Sequence, residues 1–175
     1  MMKNESVRPT EIEPLNILLR GTTPADPFQI TSRGEKKTGE DYAFYDTPDT
    51  AAEIRNLLEF NGMDYAENDG CFRLIFCSQG RKWRTAIAAQ ENFAIVCGEY
   101  PFSPAEFTKG FALCSRINSE IVTGCAFVSG QSLIFKTTAD IFDGYYAYEA
   151  IARALEYNAG AMLHYWADAY ECSQK

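Results

Sequence analysis

Residues 71–100, CFRLIFCSQGRKWRTAIAAQENFAIVCGEY, decide the fold. Short apolar runs are separated there by Ser78-Gln79-Gly80 and Gln90-Glu91-Asn92, clusters of residues that favour turns. With Asn68-Asp69-Gly70 ahead of the first run, the stretch from Met63 to Tyr100 is predicted to be an antiparallel three-strand meander. Side chains alternate across a strand, so Cys71, Arg73, Ile75 and Cys77 share one face and Phe72, Leu74 and Phe76 the other. The phenylalanine face is the expected core. The same alternation sends Trp83 inward and Lys82 and Arg84 outward, giving the sheet a charged outer face.

Helix signals flank the meander. Thr47-Pro48-Asp49 offers an N-cap, a proline at the first helical position and an acid facing the helix dipole. Ile54, Leu57 and Leu58 follow at helical spacing, and Asn61-Gly62 supplies the stop. After the meander, Ser103-Pro104-Ala105-Glu106 has the form of a capping box, with Phe102 and Phe107 as its hydrophobic staple. The helix it opens is expected to bury Phe107, Phe111, Cys114 and Ile117 and to end near Asn118. Ile121 to Val128 and Gln131 to Thr138 flank Ser129-Gly130 as a β-hairpin. One last helix is predicted from about Asp143 to about Tyr170, roughly 40 Å at 1.5 Å per residue. Leu155 lies on its apolar side, and Glu149 and Arg153 pair at the favoured i, i+4 order on the other.

Residues 1–46 hold prolines, glycines and charges around one apolar island, Leu15-Asn16-Ile17-Leu18-Leu19, and read as a polar arm. Residues 47–175 form the single predicted domain, a size within the usual range for one core. A net charge of −8 disfavours a phosphate backbone or an anionic membrane as partner. No apolar run reaches the length of a signal peptide or of a membrane span, so a cytoplasmic location is expected. The cysteines, placed mostly one by one in apolar runs, read as reduced core residues.

Chemistry-bearing patterns are sparse. His164 is the only histidine, and Asp168 lies one turn on as a possible orienting carboxylate; a solvated pair on a polar helix face is the plainer reading. No two cysteines have CxxC spacing, so no metal site is expected, and no Gly-rich phosphate cradle suggests a nucleotide cofactor. Lys37-Thr38-Gly39 lacks the Ser-x-x-Lys nucleophile that would give it meaning. Lys82 and Arg84 beside Trp83 could hold an acidic peptide or RNA, although an ordinary charged sheet face accounts for them too. Tyr145, Tyr146 and Tyr148 could line a ligand pocket, or simply pack on the sheet.

The order helix, three-strand meander, helix, hairpin, long helix, from about Thr47 to Tyr170, resembles the type III secretion chaperone fold. Within it, the chain resembles the YbjN-like family of bacterial sensory transduction regulators. The residues that carry the likeness are Trp83, then Phe107, Phe111, Leu113 and Asn118, leading into Gly124-Cys125-Ala126-Phe127-Val128. The resemblance implies an α+β protein with an antiparallel sheet, no catalytic residues, and a homodimer. The functional expectation is a non-enzymatic dimeric regulator or adaptor for an unidentified protein client, with no cofactor and no nucleic acid. A secretion-type chaperone for an effector protein is one alternative, and a small-molecule-binding protein or enzyme is another. For the dimer interface, Ala105, Thr108, Ala112 and Ser115 make a row of small residues along the second helix that would let a symmetry mate approach closely. The competing reading is a solvated side bordered by Lys109 and Arg116.

Overall fold

The computed structural model describes residues 7–11, 48–142 and 144–174. In chain order the elements are β1 (Pro9–Glu11), α1 (Thr50–Phe60), β2 (Ala66–Asn68), β3 (Cys71–Ser78), β4 (Arg81–Ala89) and β5 (Phe93–Glu99). They are followed by α2 (Phe107–Glu120), β6 (Cys125–Ser129), β7 (Ser132–Asp140), α3 (Gly144–His164) and α4 (Trp166–Cys172). The sheet order is β1-β3-β4-β5-β7-β6, with β2 also on β3. All pairings are antiparallel except β1 with β3. The expected meander and hairpin are present, and the fold is α+β with the predicted element order.

Strand alternation sorts the sheet into two faces. Phe72, Leu74, Phe76, Trp83, Ile87, Val96 and Phe135 are fully buried beneath the helices with Ile151, Leu155 and Met162 of α3. The phenylalanine face is therefore the core, as expected, and Lys82 and Arg84 point away from it. At the sheet edge, Asn118 of α2 acts as a stand-in strand: its Nδ2 donates to the Ala126 carbonyl at 3.0 Å and its Oδ1 accepts from the Ala126 N–H at 2.7 Å. Satisfying these edge groups removes a site where another strand would add.

The first helix is capped two residues later than predicted. Asp49 is the N-cap, its carboxylate accepting from the Ala51 and Ala52 N–H groups, while Thr47 lies outside the described residues. The stop behaves as read: Gly62 takes φ +63°, the Gly62 N–H donates to the Glu59 carbonyl, and the Met63 N–H reaches the Leu58 carbonyl. These are the two bonds of a Schellman cap.

Around the second helix three expectations are corrected. The capping box does not form: α2 starts at Phe107, Glu106 is its N-cap without a side-chain bond, and the Ala105 N–H donates instead to the Cys172 carbonyl at 3.0 Å. Phe102 leaves the staple for Tyr100, Trp166 and Tyr170, whose rings lie 5.2–5.7 Å away. The buried stripe of α2 is accordingly Gly110, Leu113, Cys114 and Ile117, and Phe107 and Phe111 are 59% and 58% exposed. Gly110 decides the matter, because a Cβ there would stand 2.9 Å from Pro104 and 3.0 Å from Val128. Only the glycine side of α2 can lie this close to its neighbours.

The long helix, whose expected start at Asp143 falls outside the described residues, is interrupted at Tyr165 (φ −91°, ψ 14°). Arg81 Nη1 donates to the Leu163 carbonyl at 2.9 Å, occupying an acceptor that a continuing helix would use itself. Trp166 then settles against Trp83, Tyr100 and Phe102, with the Arg81 guanidinium 5.7 Å over its ring. The hairpin strand begins at Cys125 rather than Ile121, and its turn residues are Gly130 and Gln131. The apolar island at 15–19 lies outside the described residues, while Pro9–Glu11 of the arm joins the sheet beside Ile75–Cys77.

Candidate interaction surfaces

The helix α2 turns a mixed side outward. Thr108, Ala112 and Ser115 are exposed along α2, whereas Ala105, expected in the same row, precedes the helix and is half-buried where its N–H bonds the Cys172 carbonyl. Beside the three exposed residues the Phe107 and Phe111 rings stack at 6.4 Å between centroids. Sequence reading assigned these two rings to the core and missed them as surface. The signal that would have placed them is Gly110, which with Leu113, Cys114 and Ile117 makes a second helical stripe.

Between α2 and α4 runs a groove of about 390 Å³ floored by Ala112, Leu113 and Cys172. Lys109, Arg116, Asp168 and Glu171 stand at its rim. Arg116 reaches Asp168 at 2.6 Å, and this carboxylate, with Glu120 beyond it, holds the guanidinium pKa above its ordinary value. Glu120 also accepts a hydrogen bond from the Tyr165 hydroxyl at 3.0 Å. The groove thus joins small apolar residues to a rim carrying both signs of charge.

The second surface is the sheet face turned away from the helices. Register places Arg73, Ala86, Cys97, Lys136 and Cys125 in one cross-strand row, and Ile75, Arg84, Glu99, Ile134 and Phe127 in the next. Lys82, paired with Cys77, lies on the same face. Arg84 is tied to Glu99 at 2.8 Å, and the Ser132 hydroxyl donates to the same carboxylate at 2.6 Å. Lys82 and Arg84 therefore share one face, with Lys82 free of ion pairs among the described residues.

The residues with catalytic potential are dispersed. His164 is exposed, edge-on to Tyr165, and its expected companion Asp168 is engaged by Arg116. Burial pushes the Cys97 and Cys172 thiols up and the Cys114 thiol to about 11, which keeps all three protonated at neutral pH. Tyr145 and Tyr146 do not pack on the sheet, being 80% and 60% exposed. They start the first turn of α3 beyond its buried stripe, which begins at Ala147. Tyr148 is half-buried, accepting from Asn61 Nδ2 at 3.0 Å and meeting Phe60 edge-on. Among the described residues, no three His, Cys, Asp or Glu side chains gather as a metal site requires, and no helix is long and apolar enough to cross a membrane. Lys37-Thr38-Gly39 lies outside the described residues. Replacing His164 by Ala is expected to change stability by less than about 0.5 kcal/mol, the range of ordinary surface substitutions. Urea denaturation checks it, and a larger loss would place the imidazole in a structural contact.

No family model matches the chain, and no curated protein matches it. Among solved structures, the fold is similar to the crystal structure of YbjN from E. coli, described as a candidate transcription regulator. The two are 20% identical, with a TM-score of 0.53, over 69% of this chain and 92% of that one. At that identity the likeness shows the fold, and the fold is the YbjN-like α+β arrangement that the sequence resembles.

Proposed function

We propose that the protein is a non-enzymatic, homodimeric regulator or adaptor that acts by binding another protein in the cytoplasm. The observation that carries the reading is the outward side of α2, where two large aromatic side chains stand in water next to small ones. Exposed aromatic surface on a helix is favourable to bury, at roughly 25 cal/mol per Å². Thr108, Ala112 and Ser115 keep the helix surface low, so a second copy related by a two-fold axis can bring its own α2 close. The neighbouring groove offers each copy a recess beside the other's rings, and its mixed rim suits a self-complementary contact. Free cysteines throughout fit a reducing compartment. The resemblance to a candidate transcription regulator supports a regulatory role, and the net charge of −8 favours regulation through protein contact over direct DNA binding.

The test is sedimentation equilibrium at micromolar concentration. Wild type is expected as a dimer and Ala112→Glu as a monomer with native circular dichroism, since a buried unpaired carboxylate in a helix-to-helix contact is costly. A monomeric wild type overturns the reading. An Ala112→Glu dimer moves the interface away from α2.

A further inference from the structure

The sheet face away from the helices has an unusual charge for this protein. Arg73, Lys82, Arg84 and Lys136 lie on it against three acids, Glu11, Glu99 and Asp140, in a chain whose net charge is −8. Arg84 is held by Glu99, while Arg73, Lys82 and Lys136 have no ion-pair partner among the described residues.

The apolar groups on this face are arranged around a low strip. Ala86 and Ala88 of β4 and Cys97 of β5 form its floor, half-buried although every described helix packs on the opposite face. Burial raises the Cys97 pKa, against the opposing pull of Lys136, so the thiol sits in the floor as a neutral apolar group. Ile75, Ile95, Ile134 and Phe127, also half-buried, surround the strip. In the row Arg73, Ala86, Cys97, Lys136 the two small residues are flanked by two long cations. Three strand spacings separate those flanks, about 14 Å at roughly 4.8 Å each. An α-helix with its side chains is roughly 10–12 Å across, so one fits on the strip with a cation along each side.

We propose that this face seats an acidic amphipathic helix of a partner protein, its apolar stripe over Ala86 and Cys97 and its carboxylates against Arg73 and Lys136. The proposal rests on the client-binding half of the function above and gives that client its chemistry. The small floor lets the helix axis come near the sheet, and the flanking cations select acid over base. Lys82, on the floor strand β4 beyond Arg84, sets a further cation at one end of the strip.

Fluorescence anisotropy with the full chain tests it. The probe is a labelled synthetic helix with leucine and alanine on one stripe and glutamate on both flanks; its twin carries lysine in place of glutamate. The glutamate helix is expected to bind and the lysine helix not to, with affinity falling as salt is raised. Arg73→Glu with Lys136→Glu should weaken binding at least tenfold, and Arg73→Ala with Lys136→Ala should weaken it too, with less risk to the fold. Equal binding of the two helices, or binding untouched by both double variants, overturns the proposal. So does absence of glutamate-helix binding, or equally tight capture of an oligothymidylate, which would make the cations a phosphate surface. Sedimentation of the same variants separates the readings: dimers that do not bind the probe leave the α2 interface standing.

Discussion

Trp83→Ala is expected to destabilise the domain by about 3–5 kcal/mol, the range for truncating a large buried aromatic. The indole is 1% exposed, meets Phe76 at 6.0 Å and Trp166 at 6.2 Å, and so joins the sheet to the start of α4. Removing it leaves a cavity that these neighbours cannot fill without releasing Trp166 from Tyr100 and Phe102. The thermal midpoint should fall by about 6–20 °C, at roughly 2–4 °C per kcal/mol. Trp83→Phe should be far milder, because it keeps most of the ring volume and removes the indole N–H, which has no hydrogen-bond partner among the described residues. Calorimetry of the two variants checks the pair, and similar losses for both would mean that the ring is not what fills the site.

Gly98→Ala is expected to cost about 2–4 kcal/mol, combining overpacking with the loss of buried hydrogen bonds. A Cβ on Gly98 would stand 2.5 Å from Asn158 Oδ1 and 2.9 Å from Met162 Cγ and Sδ. Met162 can bend, but Asn158 is pinned: its Nδ2 donates to the Phe135 carbonyl at 2.9 Å and the Val96 carbonyl at 3.3 Å. To admit one methyl group, α3 must move off β5 and β7. Gly160→Ala is the matched control, since a Cβ there meets nothing within 4 Å, and it should stabilise the helix by about 0.5–1 kcal/mol. Urea titration of both variants measures the contrast. A neutral Gly98→Ala would show that α3 does not approach the sheet this closely.

Much of the candidate site was legible in the residues, with one reversal. The small row on α2 and the outward Lys82 and Arg84 follow from helical and strand periodicity alone, and both reach the surface. The phenylalanines beside the row were misplaced because two apolar stripes overlap on α2. They share Cys114 and Ile117, and counting large side chains favours the one with Phe107 and Phe111. The Asn118 bridge to Ala126 and the Arg81 bond to the Leu163 carbonyl carry no local signal, since either residue would be as ordinary in a solvated position.

The amino-acid sequence by itself determined the element order, the turn at Asn61-Gly62, the inward face of β3 and β4, and hence the α+β class. Each depends on residues within a few positions of one another, where backbone geometry and alternation act directly. Tertiary structure alone decided which side of α2 is buried, where the last helix breaks, and that Asp168 serves Arg116 instead of His164. Those outcomes turn on contacts between distant segments: Gly110 against Pro104 and Val128, Ala105 bonded to Cys172, Arg81 against Leu163. A helix with two possible apolar stripes buries the one its neighbours can approach closely, and that proximity exists only once the chain has folded.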